Sequence, residues 1–430
     1  MTSAKLAIEG GPPLRTKPFG PKWIFGDEEK RHLMEVMDNA TDGWRSGFKV
    51  RAFGDAFATL HRAKYAVATT TGTGAIHAAV AAINPEPGDE IITTPTTDIG
   101  SGLGIILHNA IPVFADWDPE TLNTDPADIE RRITPRTRAI LAVHLYGNPC
   151  DMGPILEIGR AHNLPVIEDC SQAHLAEYRG QLVGTIGDIG CFSLGGKTLT
   201  TDQGGMIITN DEPLARRAMG FSRKGSEMDS ALRSSLAPTS FRRGGNQGYA
   251  FLGDFHPMTD LHAAVGLAQF DRWQEATIVR RRTAAILDEV VPHLPGFKIQ
   301  KVHPEDRSAY YTYAYTVDES EAGISSDQFA AALQAEGIPD CHGPYIQGRP
   351  LYRYPIFAEE DTYGQSRYPF VDEQGNRRID YNALHLPHIE RELPKTGFIL
   401  FRNSYTEQDA KDIAAAMRKV ALHYAEQAAQ

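Results

Sequence analysis

Apolar and polar positions alternate with two different periods along the first half of the chain. Short apolar runs typical of strands are YAVATTT, EIITTP, IPVFAD, AILAVHLYG and LPVIED, which start at positions 65, 90, 111, 139 and 164. Stretches with helical periodicity separate several of them, at residues 73–83, 126–132 and 152–162. This alternation predicts an α/β fold with a mostly parallel sheet, which binds ligands beyond the carboxyl ends of its strands.

The pattern changes after about residue 270. Strand and helix patterns recur there, at residues 310–317, 325–337 and 407–427. We therefore expect three parts: an N-terminal arm over residues 1–50, a large domain over 51–270 and a smaller α/β domain over 271–430. The smaller domain contains a segment rich in Tyr and Pro, residues 343–373, which we interpret as an irregular insertion over a cleft.

Composition narrows the class of protein. The 430 residues suffice for about two domains, and 41% hydrophobic with 23% charged residues is ordinary for a soluble globular protein. A formal net charge of -12 argues against nucleic acid or an anionic membrane as the main partner. No signal peptide, membrane-spanning run or CxxC pair is recognisable, so we expect a cytoplasmic protein without a disulfide framework.

Residues 166–206 hold the densest group of chemically active side chains. Asp169 ends an apolar run, Gln172 follows it, and Ser193 precedes Lys197, which lies among glycines. Acid, amide, hydroxyl and amine in this order suit a protein that holds pyridoxal phosphate (PLP). The acid would keep the pyridine nitrogen protonated, the lysine would bind the cofactor covalently, and the serine would contact its phosphate.

A second candidate is the turn formed by Gly72, Thr73 and Gly74, which precedes a predicted helix. Unpaired N–H groups at a helix N-terminus form a ready phosphate site, although many turns use Gly and Thr merely to turn. The nearby GGKT is not a nucleotide-binding loop, since that motif needs a glycine where Cys191 stands. The turn and Asp169 both follow strand ends, so we expect them to converge.

Other polar positions have plainer interpretations. Histidines such as His174 and His256 show no metal-ligand spacing with neighbouring cysteines or carboxylates, so no metal site is expected. The basic run at 280–282 is typical of a solvated helix face, and alternate tyrosines at 311, 313 and 315 indicate a core strand face. Asp169 taken alone is equally well a cap for the next turn.

The motifs just described give the chain a resemblance to the DegT/StrS family of PLP-dependent sugar aminotransferases. GTGAIHAAVAAI resembles that family's SGTAALHLAL, and DQGGMIITND its GEGGAVVTND, with PGDEIITTP, VIEDCSQAH and GDIGCFSLGGK in the same order between them. The opening AIEGGPPLRTKPF is most similar to the branch that aminates keto-cyclitols (inososes) and related keto-sugars. The resemblance implies the aspartate aminotransferase fold, PLP fold type I.

The resemblance also implies roles for particular residues. Lys197 and Asp169 resemble the catalytic lysine and the acid at the pyridine nitrogen, and Gln172 resembles the residue beside the phenolic oxygen. Ser193 and the turn at 72–74 match the phosphate cup. The implied reaction moves an amino group from glutamate or glutamine to a keto-sugar or keto-cyclitol, in a homodimer with shared active sites.

Three positions depart from the family pattern. The loop between the serine and the lysine is one residue shorter. The aromatic that stacks on the cofactor ring aligns with Ile99, which predicts weaker PLP binding. Segment 244–256, the expected contribution to the partner's site, carries Asp254 or Phe255 at the position of a phosphate-binding asparagine. We expect the arginines at 242–243 to offset the charge of an acid there.

Two other hypotheses stay open from the sequence. One is a PLP enzyme of the same fold with a different reaction, although Lys197 argues against sugar dehydration, since dehydrating relatives have histidine at that position. The other is a catalytically silent PLP-binding regulatory protein. Conversion of the bound cofactor by an amino donor separates the silent protein from the aminotransferase.

Overall fold

The computed structural model describes residues 5–39, 47–226 and 248–428. The strands are β1 (Tyr65–Thr69), β2 (Glu90–Thr93), β3 (Ile111–Phe114), β4 (Thr137–Val143), β5 (Val166–Asp169), β6 (Glu177–Tyr178), β7 (Gln181–Leu182), β8 (Ile189–Ser193), β9 (Gly205–Thr209), β10 (Phe297–Ile299), β11 (Thr312–Val317), β12 (Cys341–His342) and β13 (Thr396–Leu400).

The helices are α1 (Asp27–Asp38), α2 (Phe48–His61), α3 (Gly72–Ile83), α4 (Ile99–Ile106), α5 (Pro126–Arg131), α6 (Met152–His162), α7 (Glu212–Phe221), α8 (Asp260–Asp288), α9 (Glu319–Ala322), α10 (Ser326–Ala335), α11 (Pro355–Ala358), α12 (Pro387–Glu392) and α13 (Glu407–Ala428). Among the described helices, none combines the length and the apolar surface that a membrane crossing requires.

A seven-stranded sheet forms the centre of the structure, in the order β1-β9-β8-β5-β4-β2-β3. Strands β3, β2, β4, β5 and β8 are parallel, and β9 runs antiparallel to both β8 and β1. The predicted α/β fold with a mostly parallel sheet is therefore confirmed. Parallel strands require crossover helices, and these leave the strand carboxyl ends at one edge of the sheet.

Both faces of this sheet are buried, which is why its strands are apolar almost throughout. One face packs on α3 and α7 through residues such as Val67, Ile167 and Ile207. The opposite face packs on α2 and α8 through Phe192 and Ile208, and farther along on α5 and α6. Successive strand residues point to opposite faces, so both helical layers find apolar partners in the same short strands.

A smaller antiparallel sheet follows in the chain, in the order β10-β11-β13-β12. Tyr313 and Tyr315 on β11 are buried in the core between this sheet, α10 and α13, as predicted for a core strand face. Tyr311 lies before β11 and outside that core. Helix α8 runs from the large sheet to this core and crosses residue 270, so one continuous helix connects the two regions.

The segment between β12 and β13 packs against the edge strand β3 of the large sheet. Its aromatic residues Tyr352, Phe357 and Tyr381 share a buried cluster with Phe114 on β3. The Tyr381 hydroxyl donates a hydrogen bond of 2.7 Å to the carbonyl of Pro112. These contacts fix the insertion beside the carboxyl end of β2, where its first turn enters the cleft.

We predict that Tyr381→Phe lowers the free energy of unfolding by about 1–2 kcal/mol, because the buried carbonyl of Pro112 loses its donor. Tyr363→Phe is the matched control: Tyr363 is 51% exposed, and its change should stay below about 0.5 kcal/mol. Urea unfolding of the two variants and the parent chain measures the difference. Equal midpoints for all three proteins would show that the insertion does not depend on this bond.

Candidate active site

The loops that follow β1, β2, β4, β5 and β8 meet at the carboxyl edge of the large sheet. The turn at 72–74 reaches Ser193, since a Cβ built on Gly72 would lie 2.4 Å from the Ser193 Cβ. Ser101 on α4 donates a hydrogen bond to Asp169, and Gln172 donates one to Tyr345, so the loops after β2 and β5 meet the segment after β12 in one cleft. The structure thus brings the predicted phosphate turn and the predicted acid to the same edge.

The N-terminus of α3 forms a cradle beside Ser193. Thr71 caps the helix, and its hydroxyl accepts a 2.9 Å hydrogen bond from the N–H of Gly74. The earlier N–H groups, of Gly72 and Thr73, have no intrahelical acceptor and point out of the helix end. Glycine at 72 is required because any side chain would overlap Ser193. A helix end, two hydroxyls and close backbone approach fit a phosphate group.

Asp169 is a buried carboxylate with neutral partners. Its Oδ2 accepts a 2.7 Å hydrogen bond from the Ser101 hydroxyl on α4, and its Oδ1 accepts one of 3.0 Å from the N–H of Ser171. Over the described ranges, no Lys, Arg or His lies within ion-pair distance of it. A buried anion of this kind fits a ligand that brings a positively charged N–H donor, such as a protonated pyridine ring.

Gln172 is held from two sides. Its Oε1 accepts a 2.8 Å hydrogen bond from the N–H of Tyr146, and its Nε2 donates to the Tyr345 hydroxyl at 3.2 Å. Burial, and secondarily the charge of Asp98, raises the pKa of Tyr345, so this phenol keeps its proton. The Tyr345 O–H therefore remains available as a donor to a ligand in the cleft.

The loop that carries Lys197 is fastened through its backbone by distant parts of the chain. The indole N–H of Trp23, from the N-terminal arm, donates to the Lys197 carbonyl at 2.8 Å. The Asn403 amide donates to the neighbouring Thr198 carbonyl at 2.9 Å. His174 lies beneath the loop, where its Nε2 donates to Ser193 O and its Nδ1 accepts from Leu199 N–H. Burial lowers the pKa of His174 to about 3, consistent with a neutral ring in these bonds.

The amino group of Lys197 lies 4.7 Å from the centre of the Tyr311 ring. Tyr311 belongs to the segment that leads into β11, and its carbonyl accepts a 3.0 Å hydrogen bond from Arg280. The aromatic face thus limits where the lysine side chain can swing, while its backbone is held from below.

Arg280 is buried and binds several groups, so the prediction of a solvated helix face for 280–282 is wrong at this residue, while Arg282 is exposed. Arg280 is 2% exposed and donates to Asn403 Oδ1 through Nε and Nη2, at 3.0 and 2.8 Å. Arg281 and Arg282 also donate to backbone carbonyls. Burial lowers the pKa of Arg280 to about 10. These arginines bind carbonyl and amide oxygens, a use that a run of basic letters does not distinguish from solvation.

Sequence reasoning missed the residues that support the site, among them Trp23, Tyr345 and Asn403. They come from the arm, the insertion and the segment after β13, far from residues 166–206. A tryptophan in the arm and an asparagine between an arginine and a serine are weak patterns, so only proximity in the fold identifies them.

The positions that depart from the family pattern have local structural roles. Asp98 caps α4 by accepting the N–H of Gly100, which makes Ile99 the first helical residue, packed beside the insertion. Asp254 lies 3.1 Å from His256, whose ring covers Gly74 at the end of the phosphate turn. The arginines at 242–243, expected to offset Asp254, lie outside the described residues, as does part of segment 244–256.

Comparison with known proteins places this chain among aminotransferases. The DegT/DnrJ/EryC1/StrS aminotransferase family matches residues 24–391. The L-glutamine:2-deoxy-scyllo-inosose aminotransferase of Streptoalloteichus tenebrarius is 33% identical, over 98% of each chain. GDP-perosamine synthase of Caulobacter vibrioides is 39% identical, over 72% of this chain and 80% of its own.

Solved structures of aminotransferases share the fold. The aminotransferase from Psychrobacter cryohalolentis superimposes with a TM-score of 0.78 at 30% identity, covering 93% of this chain and 98% of that one. The structure of DesI with its TDP-sugar product gives a TM-score of 0.78 at 25% identity, covering 99% and 98%.

We predict that Asn403→Ala lowers the free energy of unfolding by about 2–4 kcal/mol, because the buried guanidinium of Arg280 loses its side-chain acceptor. Amide hydrogen exchange in the peptide that contains Lys197 should also accelerate, since Thr198 loses its donor. Asn382→Ala is the matched control: its exposed amide donates to the Ala358 carbonyl, and neither readout should change by more than experimental error. Unchanged exchange in Asn403→Ala would exclude this role.

Proposed function

The chain belongs to the DegT/DnrJ/EryC1/StrS aminotransferase family, and on this premise we propose that it transfers an amino group from glutamine or glutamate to a keto-cyclitol or keto-sugar. The observation that carries the proposal is the joint arrangement of Lys197, Asp169 and the phosphate cradle at one sheet edge. The near full-length match to an inosose aminotransferase favours a cyclitol acceptor and glutamine as donor.

PLP fits the polar groups of the cleft. The N-terminus of α3 and the Ser193 hydroxyl would hold its phosphate, Asp169 its ring nitrogen, and Lys197 its aldehyde carbon. Bound there, PLP would supply an electron sink for the carbon that loses a proton during amino transfer. Two sets of polar groups described above lack partners of opposite charge: the N–H groups at the start of α3 and the buried Asp169 carboxylate. A cofactor with a phosphate and a protonated ring nitrogen would supply both partners.

The surrounding side chains orient the reacting groups. Ser101 fixes the orientation of the Asp169 carboxylate, which would hold the ring nitrogen of the cofactor. The restrained backbone of Lys197 leaves only the side chain to move, which suits an amine that shuttles a proton over a short distance. Tyr345 closes one side of the cleft and offers a hydroxyl to a polyhydroxylated acceptor.

We further propose a homodimer with shared active sites. Three apolar residues of the segment before α8 are exposed in the single chain: Tyr249 by 69%, Leu252 by 88% and Phe255 by 52%. Exposed apolar side chains in one segment favour a protein partner, and a second copy of the chain would bury them. We also propose that the large domain ends and the smaller domain begins at about residue 270, and that the protein is cytoplasmic.

The first test concerns the covalent link. Borohydride treatment of the PLP-loaded protein should fix the cofactor on the peptide that contains Lys197, and Lys197→Ala should abolish the label. Lys224→Ala is the control and should be labelled like the parent chain. Adding glutamine before borohydride should prevent labelling if the donor converts the cofactor. Labelling that persists with every amino donor would favour the silent regulatory protein over the enzyme.

The second test compares the role of the Asp169 carboxylate with that of Ser101, which orients it. Asp169→Asn should lower kcat by about 100-fold or more, because a neutral amide no longer keeps the ring nitrogen protonated. Ser101→Ala keeps the carboxylate but frees its orientation, and should cost about 10-fold. Steady-state kinetics with glutamine and a keto-inositol give both values. An Asp169→Asn variant with near-normal kcat would assign the ring nitrogen to another residue.

A further inference from the structure

Three potential metal ligands meet behind the phosphate turn. His77 lies on α3, while Asp254 and His256 lie in the segment before α8. His256 Nε2 is 3.1 Å and His77 Nδ1 is 3.8 Å from the same oxygen, Asp254 Oδ2. All three ligand atoms lie within 4.8 Å of one another. Their convergence was not visible in the sequence, because α3 and the segment before α8 are far apart along the chain.

These spacings suit a shared metal ion. Ligands at the usual zinc distances of about 2.0–2.1 Å, arranged tetrahedrally, are about 3.3 Å apart. The two measured distances from Asp254 fall on either side of that value. Small rotations of the side chains therefore suffice to place all three atoms on one ion.

His77 has an unused nitrogen that points into this group. The residue is 5% exposed, and its Nδ1 has no hydrogen-bond partner within the described ranges. A ring nitrogen without a hydrogen-bond partner is free to bind a metal ion through its lone pair. A buried nitrogen without a partner otherwise carries a desolvation cost.

A second cluster of potential metal ligands differs because its polar atoms already have hydrogen-bond partners. His144, Glu168 and Cys170 also lie close together. Glu168, however, accepts hydrogen bonds from the N–H groups of Gly184, Ile186 and Gly187 and from His144. The remaining nitrogen of His144 accepts the N–H of Cys150, and burial raises the pKa of the Cys170 thiol to about 12. That cluster has no free ligand atoms to offer.

We propose that His77, Asp254 and His256 bind a divalent transition-metal ion of the zinc type. Two neutral imidazoles and one carboxylate form a ligand set that such ions favour over Mg²⁺ or Ca²⁺. The Asp254 side chain is about half exposed, which leaves an entry path and room for water as a further ligand.

Bound there, the ion ties the segment before α8 to the phosphate turn. The His256 carbonyl already accepts the N–H of Thr70 at 2.8 Å, and its ring rests on Gly74. A cation also offsets the charge of Asp254 beside a site meant for phosphate. The binding itself does not depend on the proposed aminotransfer and is testable without PLP.

Zinc titration of the tag-free full chain tests the proposal directly. Calorimetry in the presence of a competing chelator should show one ion per chain. Removing a residue that only hydrogen-bonds to a metal ligand typically lowers metal affinity by about 10–100-fold, and removing the ligand itself costs more. His77→Gln and His256→Gln should therefore each lower the zinc affinity by at least about 100-fold. His108→Gln is the matched control, since its ring lies 5.8 Å from that of His77 without belonging to the triad. It should bind zinc like the parent chain.

Thermal unfolding separates ligand loss from misfolding. Without metal, a properly folded His256→Gln should melt cooperatively, and zinc should raise Tm for the parent chain and His108→Gln only. Substoichiometric binding by the parent chain would overturn the proposal. Equal zinc affinity in His77→Gln, His256→Gln and His108→Gln would also overturn it, and would assign any bound ion to another place.

Discussion

Hydrogen bonds to the backbone of the Lys197 loop hold together parts of the chain that share no local sequence. The loop's carbonyl groups accept donors from Trp23 in the arm and from Asn403 near the C-terminus. Asn403 in turn accepts a hydrogen bond from the buried Arg280, which also donates to a backbone carbonyl. A lysine, or an arginine turned toward solvent, would leave these acceptors without a donor. An amine placed by its backbone keeps a mobile side chain, and that combination is what covalent catalysis with proton transfer needs.

Two neighbouring acids on β5 illustrate how strand geometry assigns roles. Glu168 and Asp169 point to opposite faces of the sheet because side chains alternate along a strand. Glu168 accepts hydrogen bonds from three backbone N–H groups and from His144, so its carboxylate stabilises the fold and is not available to a ligand. From the described part of the chain, Asp169 accepts two hydrogen bonds, and it faces the cleft. Of two adjacent carboxylates, the less satisfied one is available for function.

The phosphate turn is where several constraints coincide. Gly72 permits the approach of Ser193, and Gly205 permits the approach of the Thr71 carbonyl, which a Cβ there would meet at 2.2 Å. His256 covers the same turn from outside. Substitutions here would disturb the helix end, the sheet and the histidine group together, so this turn tolerates less change than its exposed surroundings.

The sequence by itself determined the fold class and predicted many of the strands and helices, because hydrophobic periods are local properties. Its motifs singled out Asp169, Gln172, Ser193 and Lys197 as candidate site residues. Tertiary structure alone decided which residues support them. Arg280 was expected on a solvated helix face but is buried, since a sequence gives no measure of burial or of partners distant along the chain. The supporting groups meet only when parallel strands bring their carboxyl ends to one edge and the arm, the insertion and α8 close around it.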